Sequence, residues 1–163
     1  MKIYADDRVV PYKSTKINPL GTKADIDGLL ARWGITHVAW IWDPGNNNVT
    51  LQFQINETIN GVLVNPVIRL EPPRIWNKGT RNKKEEINWS VSMRVLHWYL
   101  KSQLEMAHLA QYDRTTMFLP YIQTRDEKTL REVILPRLEQ LRELPALSEP
   151  SPEQLRKVIE AQR

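Results

Sequence analysis

Apolar residues recur along the chain with two different periods, and each change of period marks a new element. Thr22 is suited to cap a helix by accepting an early backbone N–H, and Asp25 falls in its first turn. Ile26, Leu29, Leu30 and Trp33 then recur at helical spacing, and Gly34 is placed to end the helix. From Thr36 the period drops to two, with His37, Ala39 and Ile41 alternating against Val38, Trp40 and Trp42. Asp43-Pro-Gly-Asn-Asn-Asn48 is dense in turn formers. Residues 49–55 alternate strictly, with Val49, Leu51, Phe53 and Ile55 on one face and Thr50, Gln52 and Gln54 on the other. That pattern marks a sheet with one solvated face. A turn at Asn60-Gly61 leads to a third strand over 62–70, with Val62, Val64, Ile68 and Leu70 inward; Pro66 indicates an edge or a bulge. A helix followed by a three-stranded antiparallel meander is the expectation.

The flanks differ in character. Residues 1–21 carry Pro11, Pro19 and Gly21 and read as an extended lead-in with a short strand over 3–10. Residues 87–112 read as one long helix. Ile87, Val91, Val95 and Trp98 form one apolar row and Leu96, Leu100, Leu104 and Ala107 a second, so the helix should pack across the sheet. Residues 118–122 read as a short strand or an extended segment pinned to the core. Thr129-Leu-Arg-Glu132 is a capping box that opens a further helix carrying Val133, Ile134, Leu138, Leu141 and Leu144, with a kink or break expected at Pro136. Pro145, Pro150 and Pro152 mark a linker, and Ser151-Pro-Glu-Gln154 opens a short final helix. The predicted fold class is α+β: one domain over residues 1–147, then a Pro-rich linker and short helix over 148–163.

Composition narrows the chemistry. The 163 residues include no cysteine, which excludes a disulfide scaffold, a thiol nucleophile and thiolate metal ligation. Residues 1–8 contain Asp6, Asp7 and Arg8 where a leader would be apolar, and no stretch approaches the ~18 apolar residues of a membrane span. A soluble protein of the cytoplasm is expected, without a membrane partner. Net charge is +4, unevenly spread: residues 1–84 hold 12 Lys and Arg against 7 Asp and Glu, and the remainder 11 against 12. Much of the excess lies in one segment, where Arg74, Lys78, Arg81, Lys83 and Lys84 are five basic residues in eleven, with Trp76 among them. A solvated connecting loop explains such a run; so does contact with nucleic-acid phosphates, where Lys and Arg displace counterions and Trp76 stacks on a base. Lys13, Lys16 and Lys23 are further cations that would extend such a surface. Trp40 and Trp42 point one way from their strand, either into the core or as a platform for bases.

Catalytic signatures are missing. Glu105 and His108 share the i, i+3 spacing of carboxylate-bridged metal helices, but no second such pair occurs. His37 and His97 read as structural or exposed. There is no Gly-x-Ser-x-Gly elbow and no glycine-rich phosphate loop. Asp126-Glu127-Lys128 precedes a helix, where acidic residues suit the helix dipole better than a nuclease site. No catalytic residue, metal site or cofactor is assigned, and an enzyme assembled from distant carboxylates ranks behind two binding readings.

The order of motifs is nevertheless distinctive. Lys23-Ala-Asp-Ile-Asp-Gly-Leu-Leu-Ala-Arg-Trp-Gly34 is followed by Trp42-Asp43 and a hairpin ending Asn60-Gly-Val62. Leu100-Lys-Ser-Gln-Leu-Glu105, Phe118-Leu-Pro-Tyr-Ile122, Val133-Ile-Leu-Pro-Arg-Leu138 and Leu144-Pro-Ala-Leu147 come later. Over residues 22–147 the chain resembles a widespread family of small, mostly uncharacterised proteins encoded in tailed-bacteriophage genomes. The resemblance implies a viral protein at work in the cytoplasm of its host, and brings no catalytic residues with it. The first functional expectation is a non-enzymatic nucleic-acid-binding protein of phage DNA metabolism, such as a single-stranded-DNA binder or a recombination or replication accessory. The alternative is a protein–protein interaction module that inhibits or redirects a host enzyme or defence component. It would use the long helix or the final one. Either is compatible with a homo-oligomer.

Overall fold

The computed structural model describes residues 2–81 and 83–138. Its elements are β1 (Ile3–Tyr4), α1 (Pro19–Arg32), β2 (Val38–Asp43), β3 (Asn48–Gln54), β4 (Glu57–Ile59), β5 (Val62–Val64), β6 (Val67–Leu70), β7 (Ile75–Asn77), β8 (Glu86–Ile87), α2 (Trp89–Leu109), α3 (Arg114–Met117) and α4 (Leu130–Leu138). The class is α+β. Residues up to Arg131 form one compact unit, and Glu132 begins a second. The expected boundary after 147, the linker prolines, Leu141, Leu144 and the final helix lie outside the described residues.

β2, β3 and β6 form the expected three-stranded antiparallel sheet, in that order, with Trp40 opposite Leu51 and Phe53 opposite Ile68. One face of β3 is core: Val49, Leu51 and Phe53 are buried, as is Ile55 just after the strand. The third strand is shorter than its apolar pattern suggests. Asn60 and Gly61, both at positive φ, turn the chain early, so β4 and β5 pair as a hairpin of their own before Pro66. Val62 is consequently exposed and Val64 half-buried, whereas Ile68 and Leu70 are buried as expected.

The first helix is capped four residues before Thr22. Asn18 Oδ1 accepts the Gly21 N–H at 2.6 Å and Pro19 takes the first helical position, where its fixed φ fits and its missing N–H costs nothing. Thr22 is therefore buried inside the helix. Gly34 ends it at φ +74°, a conformation that glycine adopts without a steric penalty.

The long helix starts at Trp89, because Asn88 caps it by accepting the Val91 N–H at 3.1 Å, and Ile87 belongs instead to a strand. Met93, Leu96, Leu100 and Leu104 pack with Ile26, Leu29 and Leu30 of α1 over the buried face of the sheet. Each such side chain contributes roughly 1.5–3 kcal/mol by leaving water. Trp98, from the other apolar row, is exposed. Residues 118–122 do not form a strand: Pro120 favours a 3-10 turn over Leu119–Tyr121, and only Ile122 bridges to the sheet, at Ile68. Phe118 is fully buried, edge-on to Phe53 at 5.5 Å. The helix that the capping box predicts is α4, and it runs through Pro136.

Candidate nucleic-acid interface

The basic segment is not a loose loop. Alternation within Ile75-Trp76-Asn77 buries Ile75 with Val10 and Val91, and β7 becomes the central strand of a second small sheet. β1 pairs with it in parallel, Tyr4 opposite Trp76, and β8 pairs antiparallel, Trp76 opposite Ile87. Between β7 and β8 the chain reverses through a tight turn, where Thr80 and Lys83 exchange backbone hydrogen bonds of 2.9 and 3.2 Å. Gly79 lies against that turn: a Cβ there would sit 3.1 Å from Lys83 O.

Trp76 is half-buried, with the Lys2 ammonium 4.6 Å from its ring centroid. Lys13, Trp76, Asn77 and Lys78 line a shallow cleft of about 380 Å³ with Ala5, Asp6 and Asn88. Two of the nearby cations are paired. Lys78 Nζ lies 2.8 Å from Asp6 Oδ2, and Lys2 bonds Glu85, which also accepts the Tyr4 hydroxyl at 2.9 Å. Hydrogen bonds from Lys2 and then Tyr4 hold Glu85 below the usual carboxylate range, and the bond from Lys78 does the same for Asp6. Both ammonium groups are correspondingly raised, chiefly by those same bonds. Arg74, Arg81, Lys83 and Lys84 are exposed and make no ion pair among the described residues.

Trp40, Trp42 and Lys23 belong to a different place. Trp40 faces the helices and is half-buried, its Nε1 donating to Asp27 Oδ1 at 2.8 Å. Lys23 bonds the other Asp27 oxygen at 2.7 Å and lies 5.5 Å from the Trp40 ring. Trp42 is 56% exposed and leans on Trp89, ring centroids 5.5 Å apart. With Pro19, Leu20, Ile41, Val49 and Met93 these residues line a cleft of about 350 Å³.

The predicted residues thus fall into two groups. Lys13, Trp76 and Lys78 meet in one cleft, and Lys23, Trp40 and Trp42 in the other, while Arg74, Arg81, Lys83, Lys84 and Lys16 line neither. The consecutive residues Asn88 and Trp89 line the first cleft and the second. One groove of converging cations is not formed. Lys2, Tyr4 and Trp89 complete the two sites and were not foreseen. Lys2 and Tyr4 reach Trp76 only through the parallel pairing of β1 with β7, which leaves no local pattern.

The His108 ring stands edge-on to Trp33 at 5.5 Å. Among the described residues no group of three or more His, Asp or Glu is placed to hold a metal ion, and no helix is long and apolar enough to cross a membrane. Comparison with known protein families, curated proteins and solved structures finds no match to this chain.

Proposed function

We propose that this chain binds single-stranded nucleic acid without catalysing a reaction on it, as a single-strand binder or a recombination or replication accessory of phage DNA metabolism in the host cytoplasm. One observation carries the reading: Trp76 stands on the central strand of a small sheet, flanked by Lys2, Lys13 and Lys78, next to a turn whose Arg81, Lys83 and Lys84 make no ion pair among the described residues. An aromatic ring fixed on a strand offers a stacking surface to an unpaired base, and neighbouring cations take the phosphates on either side. The pairs Lys2–Glu85 and Lys78–Asp6 lie at the surface, where ion pairs are worth little, so exchanging their carboxylates for phosphates costs little.

Fluorescence anisotropy with single- and double-stranded oligonucleotides tests this. Six phosphate contacts, from Lys2, Lys13, Lys78, Arg81, Lys83 and Lys84, give a slope of log K against log salt of about −4 for a single strand. Tighter binding of the single strand with such a slope is expected; no binding at micromolar protein in about 50 mM salt refutes the reading. A second reading, a module for a host protein, draws on α2, where Trp98, Met106 and Leu109 are all more than half exposed along one side. Under it, Trp98→Ser with Leu109→Ser abolishes capture of the partner and leaves oligonucleotide affinity unchanged.

A further inference from the structure

The two outer edges of the β2–β3–β6 sheet differ. On the β6 side the Gln123 N–H donates to Val67 O at 2.8 Å and Ile122 bridges Ile68, so that edge is covered. Along β2 no described residue pairs with the outer edge. Antiparallel pairing engages the backbone groups of alternate residues only. The Gln54 N–H donates to His37 O at 3.0 Å, which places His37, Ala39, Ile41 and Asp43 in the phase bonded to β3. The N–H and C=O groups of Val38, Trp40 and Trp42 therefore point to the open edge. Residues 38–42 contain no charge and no proline, the usual devices against edge pairing, and Ile41 is 47% exposed.

We propose that this edge pairs antiparallel with the same edge of a second copy of the chain, about a two-fold axis between the two Trp40 residues. That register engages every open group of Val38, Trp40 and Trp42 in both copies and makes one continuous six-stranded sheet. It sets Val38 opposite Trp42 of the partner subunit, an aromatic–β-branched pair of the kind that stabilises sheets. Ala39 faces Ile41 of the partner subunit. Asp43 faces His37 of the partner subunit, so the acidic end of one strand meets the imidazole of the other and no like charges oppose. Slipping one strand past the other by a single residue would leave the open backbone groups of one strand facing the bonded phase of the other.

The inference does not depend on nucleic-acid binding. Light scattering on the full chain tests it first, with a species of twice the 19.1 kDa chain mass expected at micromolar concentration. The register is tested by cross-linking, which the absence of native cysteine keeps clean. Ala39→Cys and Ile41→Cys chains are mixed and oxidised. The mixed disulfide is expected to dominate, because positions 39 and 41 lie directly opposite while 39–39 and 41–41 are offset along the strands. Ile41→Lys, at an exposed position, is expected to weaken dimerisation tenfold or more with unchanged circular dichroism. A single-chain mass at the highest soluble concentration overturns the proposal. So does a dimer that resists Ile41→Lys, or one whose cross-links show no preference for the mixed pair.

Discussion

Replacing Glu57 with Gln removes one charge and almost no volume, and the structure says what that charge holds. Glu57 opens β4 and reaches the start of α3, where Asp113 provides no side-chain cap. Its Oε1 accepts the Arg114 N–H at 3.1 Å and its Oε2 the Thr115 N–H at 2.9 Å, so it caps the helix from a distant strand. The Arg114 guanidinium adds a contact of 3.3 Å to Oε1 and donates to Trp33 O at 2.8 Å. The Glu57 side chain is only 15% exposed. Burial by itself would raise its pKa, but the N–H groups of Thr115 and Arg114 outweigh burial and hold it below the usual value. Hydrogen bonds to a charged group are worth ~1.5–3 kcal/mol, so Glu57→Gln should lose about 2 kcal/mol at neutral pH. For a chain of this size that lowers Tm by roughly 4–8 °C. A depressed carboxylate contributes stability that is present above its unfolded value and lost as pH falls through its folded value. Wild type and Glu57→Gln should therefore differ at pH 7 and converge at acid pH, as the wild-type carboxylate protonates through its lowered folded value. Urea unfolding at both pH values measures this. Equal stability at pH 7, or a gap of the same size at low pH, would refute the argument.

Two further expectations come from the core and the caps. Phe118→Ala should cost about 3–5 kcal/mol, because the ring is fully buried against Phe53 and its loss leaves a cavity between the sheet and the 3-10 turn; equilibrium unfolding measures it. Asn18→Ala should cost roughly 0.5–2 kcal/mol by removing the bond to Gly21 N, whereas a Thr22→Ser change should do nothing to the helix start; amide exchange at Gly21 separates the two.

What the sequence made legible was local and periodic. Strict alternation over 49–55 marked the buried face of β3, and the second apolar row of the long helix marked Leu96, Leu100 and Leu104 as core. Where two local signals competed, the closer geometric fit prevailed: Asn18-Pro19 displaced Thr22 as the helix start, and Asn88 placed the start of α2 after Ile87. Alternation placed Trp40 and Trp42 on one face but could not say which face the helices would cover, since Ala39 and Ile41 are apolar too. Packing resolves that, with Trp40 inward on Asp27 and Trp42 at the rim. The candidate site was legible in its residues and not in its assembly. Lys2 and Trp76 are brought together by a parallel pairing of two-residue reach, and Glu57 and Arg114 by tertiary contact across 57 positions, neither of which leaves a periodic trace.

The central claim is that Trp76 is a stacking surface for an unpaired base, and its affinity contribution is directly measurable. Single-stranded oligonucleotide binding is compared for wild type and Trp76→Ala at fixed salt, with melting confirming that the variant is folded. A stacking contact is worth ~1–3 kcal/mol, so affinity should fall about 5- to 150-fold while the salt slope stays unchanged, because no phosphate contact is removed. Equal affinity of the two proteins would contradict the account.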